Sequence, residues 1–149
     1  MSTIGVLNMI VRTKWSGQRA FTAVGDSGYK INIDATEADG GEGGGAPPME
    51  MLLSSLAGCM GISITLILRH HLDSIESIEI ETDGTRKEDL PKGFTAITVS
   101  FFIDGDIEGK KIWRAINLGK QKYCAVSDSL KADLSFRLIL NGQEINNPY

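Results

Sequence analysis

The chain has few of the residues that bind metal ions. Its 149 residues include only two histidines and two cysteines. The histidines, His70 and His71, are neighbours, so on a helix their side chains point about 100° apart and cannot hold one metal ion together. Neither has the spacing to a second ligand that zinc hydrolases require. We therefore expect no metal site.

The chain also lacks an excess of basic residues. It has 15 Lys and Arg against 19 Asp and Glu, a formal net charge of −4 at pH 7, and its basic residues are scattered. A nucleic-acid surface needs cations that neutralise phosphates, so we expect no nucleic-acid partner. The N-terminus lacks the basic region and apolar block of a signal peptide, which favours a cytoplasmic protein. A static structural disulfide would be unusual in that compartment.

One long stretch without charged residues, 51–68, challenges the expectation of a soluble protein. Its 18 residues are just enough to cross a membrane as a helix, but Ser54, Ser55 and Gly58 are among the residues that dilute its hydrophobicity. A helix that is apolar on every face is more often buried in a core or an interface, so we expect no membrane partner. One sheet covers only one side of such a helix, and a second copy of the chain is the simplest cover for the other side. We therefore predict a homodimer.

The order of elements indicates an α+β protein. Alternating apolar and polar residues mark the strands, and the helices are predicted to lie on one side of a largely antiparallel sheet. The length fits a single domain over residues 1–149. Strands are predicted at 11–15, 20–24, 29–33, from 78 onwards, 96–103 and 134–140, helices at 49–71 and 108–122, and a helical turn at 127–132.

A glycine-rich segment precedes the long helix. Residues 40–45 contain five glycines around Glu42, which predicts a mobile loop that does not pack. A phosphate-binding loop would be followed by a lysine and a Ser or Thr, and both are absent here. We therefore expect no cofactor.

The two cysteines are the main candidates for chemistry. Cys59 lies in a run of small and apolar residues, and Cys124 follows Lys120 and Lys122. A thiol becomes a nucleophile when it loses its proton, which nearby cations or a helix N-terminus favour. Two thiols that meet can also be oxidised reversibly to a disulfide. The alternative is that both are small buried apolar side chains, since no Cys-x-x-Cys pattern is present.

Several of these segments together resemble a known family. Pro48-Met49-Glu50-Met51-Leu52-Leu53 and Ala57-Gly58-Cys59, followed far downstream by Lys122-Tyr123-Cys124-Ala125-Val126-Ser127, are similar to the OsmC/Ohr family. The resemblance spans nearly the whole chain and also includes Lys14-Trp15-Ser16-Gly17 and the glycine-rich loop. In these motifs it is nearest to the YhfA-like branch of that family.

The resemblance implies a fold and an activity. The OsmC-like fold has largely antiparallel sheets wrapped around the long central helices of an intertwined homodimer, with active sites at the subunit interface. Members that are peroxidases reduce organic hydroperoxides. By this resemblance Cys59 is the peroxidatic cysteine and Cys124 the resolving cysteine, and a dithiol reductant, such as a lipoylated protein, resets the enzyme.

The sequence departs from the peroxidase pattern near Cys59. The family's peroxidases carry a glutamate ten residues before the helix cysteine, where this chain has Met49. Glu50 lies nine residues before Cys59 and about half a turn away, which favours the role of a first-turn acid on the helix dipole over a catalytic one. Arg19 is the candidate for the arginine that activates the thiol, with Arg12 as a weaker substitute.

These departures leave a second function open. It is a non-peroxidatic protein of the same fold that binds an apolar or thiol-reactive small molecule in the dimer-interface pocket.

Overall fold

A computed structural model of the chain describes residues 8–149, which divide into two compact units. The first unit ends at Met51 and contains an antiparallel three-stranded sheet of order β1–β2–β3, followed by a single 3₁₀ turn. A helix, α1, starts in this unit and continues into the second. The elements that lie or begin in the first unit are β1 Val11–Gly17, β2 Ala20–Gly25, β3 Lys30–Ile33, the 3₁₀ turn Glu37–Asp39 and α1 Pro48–Ile67.

The second unit runs from Leu52 to Tyr149 and contains a four-stranded sheet of order β4–β5–β6–β7. Strands β5 and β6 are parallel and the other pairs are antiparallel. Parallel neighbours need a crossover connection, which the helices between them supply. The elements are the 3₁₀ turn Leu72–Ser74, β4 Ile75–Arg86, β5 Phe94–Gly105, α2 Gly109–Leu118, a π-helix Gly119–Tyr123, α3 Ala125–Asp128, β6 Asp133–Leu140 and β7 Gln143–Ile145.

The predicted α+β class and largely antiparallel pairing are confirmed, and the differences lie at the ends of elements. α1 ends at Ile67 rather than at residue 71, because the chain tightens after Leu68 and the His71 N–H donates to the Leu68 carbonyl at 2.7 Å. α2 gives way to the π-helix after Leu118. The short strand β7 and both 3₁₀ turns were not predicted, since segments of three residues carry too little periodicity.

One face of the four-stranded sheet forms the core of the second unit. Alternate residues of β5, from Ile97 to Ile103, are buried, as the period of a strand requires. α2 adds Trp113 and Ile116, so its predicted apolar face is confirmed. On the opposite face of the sheet Arg137 makes an ion pair with Glu144 at 2.9 Å.

Among the described residues, helix α1 buries one of its faces and exposes the other. Leu56, Met60 and Ile64 recur every four residues and join the core, whereas Ile62 is 72% exposed and Leu66 is 54% exposed. The helix is long and apolar enough to cross a membrane by length and composition, and 22% of its most apolar window is buried. Residues 8–149 therefore bury one face of α1, whereas burial on every face was expected.

The glycine-rich loop is packed around a buried carboxylate. Asp34 accepts backbone hydrogen bonds from Ala35, Glu42 and Gly44 at 2.8, 3.0 and 3.0 Å. The bonds from Gly44 and Glu42 hold the pKa of Asp34 below its ordinary value of 3.8, because they favour the charged form. A Cβ on Gly41 would lie 1.8 Å from the Ala35 carbonyl oxygen, so only glycine fits there. The prediction of a loop that does not pack is wrong.

Phe101→Ala tests the core of the second unit. Phe101 is fully buried at the centre of β5 and stacks on Phe136, with ring centroids 6.3 Å apart. We expect its truncation to lower the free energy of unfolding in urea by about 3–5 kcal/mol, because it removes buried surface and leaves a cavity. Phe102→Ala is the matched control, because Phe102 faces the other way and is 37% exposed; about 1 kcal/mol is expected there. Equal losses would contradict this assignment of faces.

Candidate active site

Cys59 lies in the middle of α1, on the side of the helix that meets the core of the second unit. Its side chain is half-buried and packs against the apolar core, to which Leu56 and Met60 of the same helix also belong. The hydroxyl of Ser63, one turn later, donates to the Cys59 carbonyl at 2.8 Å. Gly61 allows β4 to approach this part of the helix, since a Cβ there would lie 3.1 Å from Ile80 Cδ1. The thiol therefore has largely apolar surroundings on a regular helix.

Cys124 is the N-cap residue of α3 and is 3% exposed. Its Sγ accepts a hydrogen bond from the Ser127 N–H at 3.4 Å, and the Ser127 hydroxyl donates to the Cys124 carbonyl at 2.9 Å. A cap of this kind satisfies a free N–H group at the start of the helix. The short helix therefore begins at Ala125, two residues earlier than predicted, because the cysteine caps it.

The two cysteines lie close together inside the second unit although they are 65 residues apart. Cys124 belongs to the buried core, Cys59 packs against that core, and the Cys59 side chain is near enough to shift the pKa of Cys124. Both are free thiols. Burial raises the pKa of Cys124 above its ordinary value of 9.0, while the Ser127 N–H acts in the opposite direction. The hydrogen bond with Cys59 raises the pKa of Cys124 further, which means that it favours the protonated form. Cys124 therefore keeps its proton at neutral pH.

The lysines before Cys124 do not activate it. Lys120 is exposed, and its Nζ lies 5.6 Å from the centroid of the Phe136 ring. Lys122 is also exposed. Because the pKa of Cys124 is raised rather than lowered, the expectation that these cations favour its ionisation is wrong.

Arg19 and Glu50 lie in the first unit, whereas both cysteines lie in the second. Arg19 is exposed in the turn between β1 and β2, and its Nε would be 3.7 Å from a Cβ on Gly40. Glu50 is exposed in the first turn of α1, where a carboxylate is favoured by the helix dipole. Met49, at the family's glutamate position, is half-buried. A role for Arg19 or Glu50 at the thiols stays a prediction.

The site includes residues that sequence reasoning did not identify. Ser63 and Ser127 each bond to the backbone of a cysteine, and Gly119 lies against α1 beside Ser63. The only signal in the sequence is the spacing of a serine four residues after Cys59 and three after Cys124, which is too common to be specific. Within residues 8–149, no group of three or more His, Cys, Asp or Glu side chains is arranged to hold a metal ion.

Comparison with known proteins relates this site to a family. The family profile of the OsmC-like protein matches residues 41–138, which include both cysteines. Protein YhfA of Escherichia coli K12 is 33% identical over 121 residues, or 80% of this chain and 87% of YhfA.

Solved structures share the fold. A hypothetical protein from Aquifex aeolicus VF5 superposes with a TM-score of 0.80 at 25% identity, covering 91% of this chain and 98% of that one. The organic hydroperoxide resistance protein OsmC of Legionella pneumophila gives a TM-score of 0.62 at 17% identity, over 91% of this chain and 98% of its own. The latter likeness concerns the fold alone. The extent of the profile match and the identity to YhfA establish that this chain belongs to the OsmC/Ohr family, as its motifs predicted.

Proposed function

We propose that this protein is a thiol-dependent peroxidase that reduces organic hydroperoxides, with Cys59 as the peroxidatic and Cys124 as the resolving cysteine. The observation that carries the proposal is the proximity of the two thiols in the core of the second unit. Reversible oxidation of a cysteine needs a second thiol within reach, and chance rarely places the only two cysteines of a chain together. This proximity favours a redox pair over the alternative that both cysteines are inert apolar side chains.

The proposed reaction balances with three participants. The Cys59 thiolate attacks the outer oxygen of the hydroperoxide, the O–O bond breaks, and an alcohol leaves after it gains a proton. Cys59 is then a sulfenic acid. Cys124 condenses with it, forming the disulfide and releasing water. A dithiol reductant, for which a lipoylated protein is our candidate, returns both cysteines to thiols by exchange and becomes a disulfide itself.

The proton on Cys124 supports this division of roles. A thiolate is the form that attacks a peroxide, and Cys124 is buried and holds its proton. Cys59 is half-buried, so a substrate can reach it more readily. Its neighbours Leu56 and Met60 are apolar, which suits an alkyl hydroperoxide better than hydrogen peroxide. The structural relative from Legionella pneumophila is named as an organic hydroperoxide resistance protein, which fits the same substrate class.

The proposal also includes the two residues that were predicted to activate Cys59, Arg19 and Glu50. Arg19 is the candidate cation for keeping Cys59 ionised and orienting the peroxide. Glu50 is a candidate partner for that arginine, although its exposed first-turn position also accounts for it as a helix-dipole residue.

We also infer that the protein is a homodimer, with the exposed face of α1 at the interface. Ile62 and Leu66 are 72% and 54% exposed on a helix whose opposite face is in the core. An apolar stripe of this kind costs free energy in water, and a symmetric second copy presents the same stripe.

Cysteine variants test the chemistry. We expect Cys59→Ser to lower the turnover of cumene hydroperoxide with a dithiol by a factor on the order of 10³ or more, because the nucleophile is lost. The matched variant Cys124→Ser should consume one equivalent of peroxide per Cys59 and then accumulate a sulfenic acid that dimedone traps. Wild-type turnover by Cys59→Ser would refute the proposal. Thiols that stay reduced in the wild-type protein under peroxide would favour the non-peroxidatic binding protein instead.

Arg19→Gln tests the activating cation. Loss of a charge that stabilises the thiolate and the departing alkoxide should slow oxidation of Cys59 by a factor on the order of 100, measured in a single turnover by stopped flow. Arg12→Gln is the matched control, because Arg12 is also exposed in the first unit, and its rate should stay near that of the wild type. If Arg12→Gln is slow and Arg19→Gln is not, the assignment is wrong.

Ile62→Asp tests the homodimer. A charge at this exposed apolar position should convert the dimer to a monomer in analytical ultracentrifugation. Burying an unpaired carboxylate in the interface costs about 3 kcal/mol or more. Lys110→Asp, at an exposed polar position of α2, should leave the mass unchanged. A wild-type protein that sediments as a single chain would contradict the proposal, and one that pellets with lipid vesicles would point to a membrane instead.

A further inference from the structure

The segment between α2 and α3 adopts an uncommon conformation. Gly119–Tyr123 forms a π-helix, and the Cys124 N–H closes it with a hydrogen bond to the Gly119 carbonyl at 2.8 Å. This bond joins residues five apart, so the turn holds one residue more than an α-helical turn. π-helices are rare, occur mostly as single turns and are frequent at functional sites. Here the turn leads directly into a cysteine of the candidate active site.

Gly119 is where this segment packs on the helix that carries Cys59. A Cβ built on Gly119 would lie 3.4 Å from Ser63 Cβ and 3.6 Å from Met60 Cε. A methyl group therefore fits in ordinary contact, whereas a branched side chain does not. Met60 is the neighbour of Cys59, and the Ser63 hydroxyl bonds to the Cys59 carbonyl. Gly119 thus lies against the turn of α1 that holds the first thiol, and its carbonyl holds the backbone of the second.

We propose that the π-helix and Gly119 are positioning elements that place the Cys124 thiol against Cys59 for disulfide formation. Gly119 sets the distance between the two backbones, and the additional residue in the turn sets the direction of Cys124. With one residue fewer, the segment would be an α-helix and Cys124 would rotate by about 100° relative to α1. The thiol would then point away from Cys59.

The step that these elements serve needs no further reactant. The sulfenic acid of Cys59 and the thiol of Cys124 form a sulfur–sulfur bond and release water. This reaction rests on the proposed function. The placement of the thiols can also be tested without a peroxide, because the diazene diamide accepts two electrons and two protons from a neighbouring thiol pair, giving the disulfide and a hydrazine.

The main experiment uses a variant that lacks Gln121, an exposed residue of the π-helix. We expect this variant to fold, because an α-helical turn can replace the rarer π-helical one, although displacing the buried Cys124 lowers its free energy of unfolding. Disulfide formation with diamide should slow by about 100-fold or more, since a displacement of only about 1 Å already has an effect of that size. Oxidation of Cys59 by cumene hydroperoxide should keep its wild-type rate, and the sulfenic acid should persist. A purely structural role for the segment would not separate the two steps.

Substitutions at Gly119 test the proposal without a change in chain length. Gly119→Val should slow the diamide reaction by increasing the distance between the backbones, and Gly119→Ala is the matched control that should pair its thiols at the wild-type rate. If the deletion variant does not fold, this comparison decides. Wild-type rates of disulfide formation in both the deletion variant and Gly119→Val would overturn the proposal. A wild-type protein that pairs its thiols with diamide but ignores hydroperoxides would refute the peroxidase function and leave the positioning role supported.

Discussion

The contact between α1 and the segment 119–124 is the interaction on which the candidate site depends. Cys59 lies on a regular helix, and its position is determined by the packing of Leu56, Met60 and Ile64 in the core. Cys124 has no such element of its own, because it stands between a π-helix and a four-residue helix. Close approach at Gly119 joins the two, since a backbone without a side chain can lie directly on Ser63. The proposed chemistry of the thiols depends on this approach.

The sheet of the second unit explains why that segment is available. Strands β5 and β6 are parallel, so the chain must cross from one end of the sheet to the other before it can pair again. α2, the π-helix and α3 form this crossover. The apolar face of α2, with Trp113 and Ile116, packs on the sheet. The segment 119–124 follows α2 directly and lies against α1 at Gly119. A structural requirement of parallel pairing thus supplies the second cysteine of the site.

The two thiols differ in burial, and the surroundings of Cys124 keep it protonated. Burial and the Cys59 side chain both keep Cys124 protonated, and the Ser127 N–H only partly opposes them. The exposed lysines nearby do not change this result, because charges in water are strongly screened. Each thiol therefore has a distinct environment, and Lys122, two residues before Cys124, is exposed and does not lower the pKa of that thiol. This difference is the physical basis for assigning one cysteine to attack and the other to resolution.

The sequence alone determined strands β1 to β6, the two longer helices and the family, because those depend on local periodicity and on motifs such as Ala57-Gly58-Cys59. It also identified both cysteines. It did not reveal the packing of the glycine-rich loop around Asp34, which depends on backbone donors from residues as far away as Gly44. Only the tertiary structure decided that Cys59 and Cys124 lie close together in the core and that Cys124 keeps its proton. Proximity and burial depend on the packing of segments that are 65 residues apart in the chain. A local sequence pattern therefore cannot predict them.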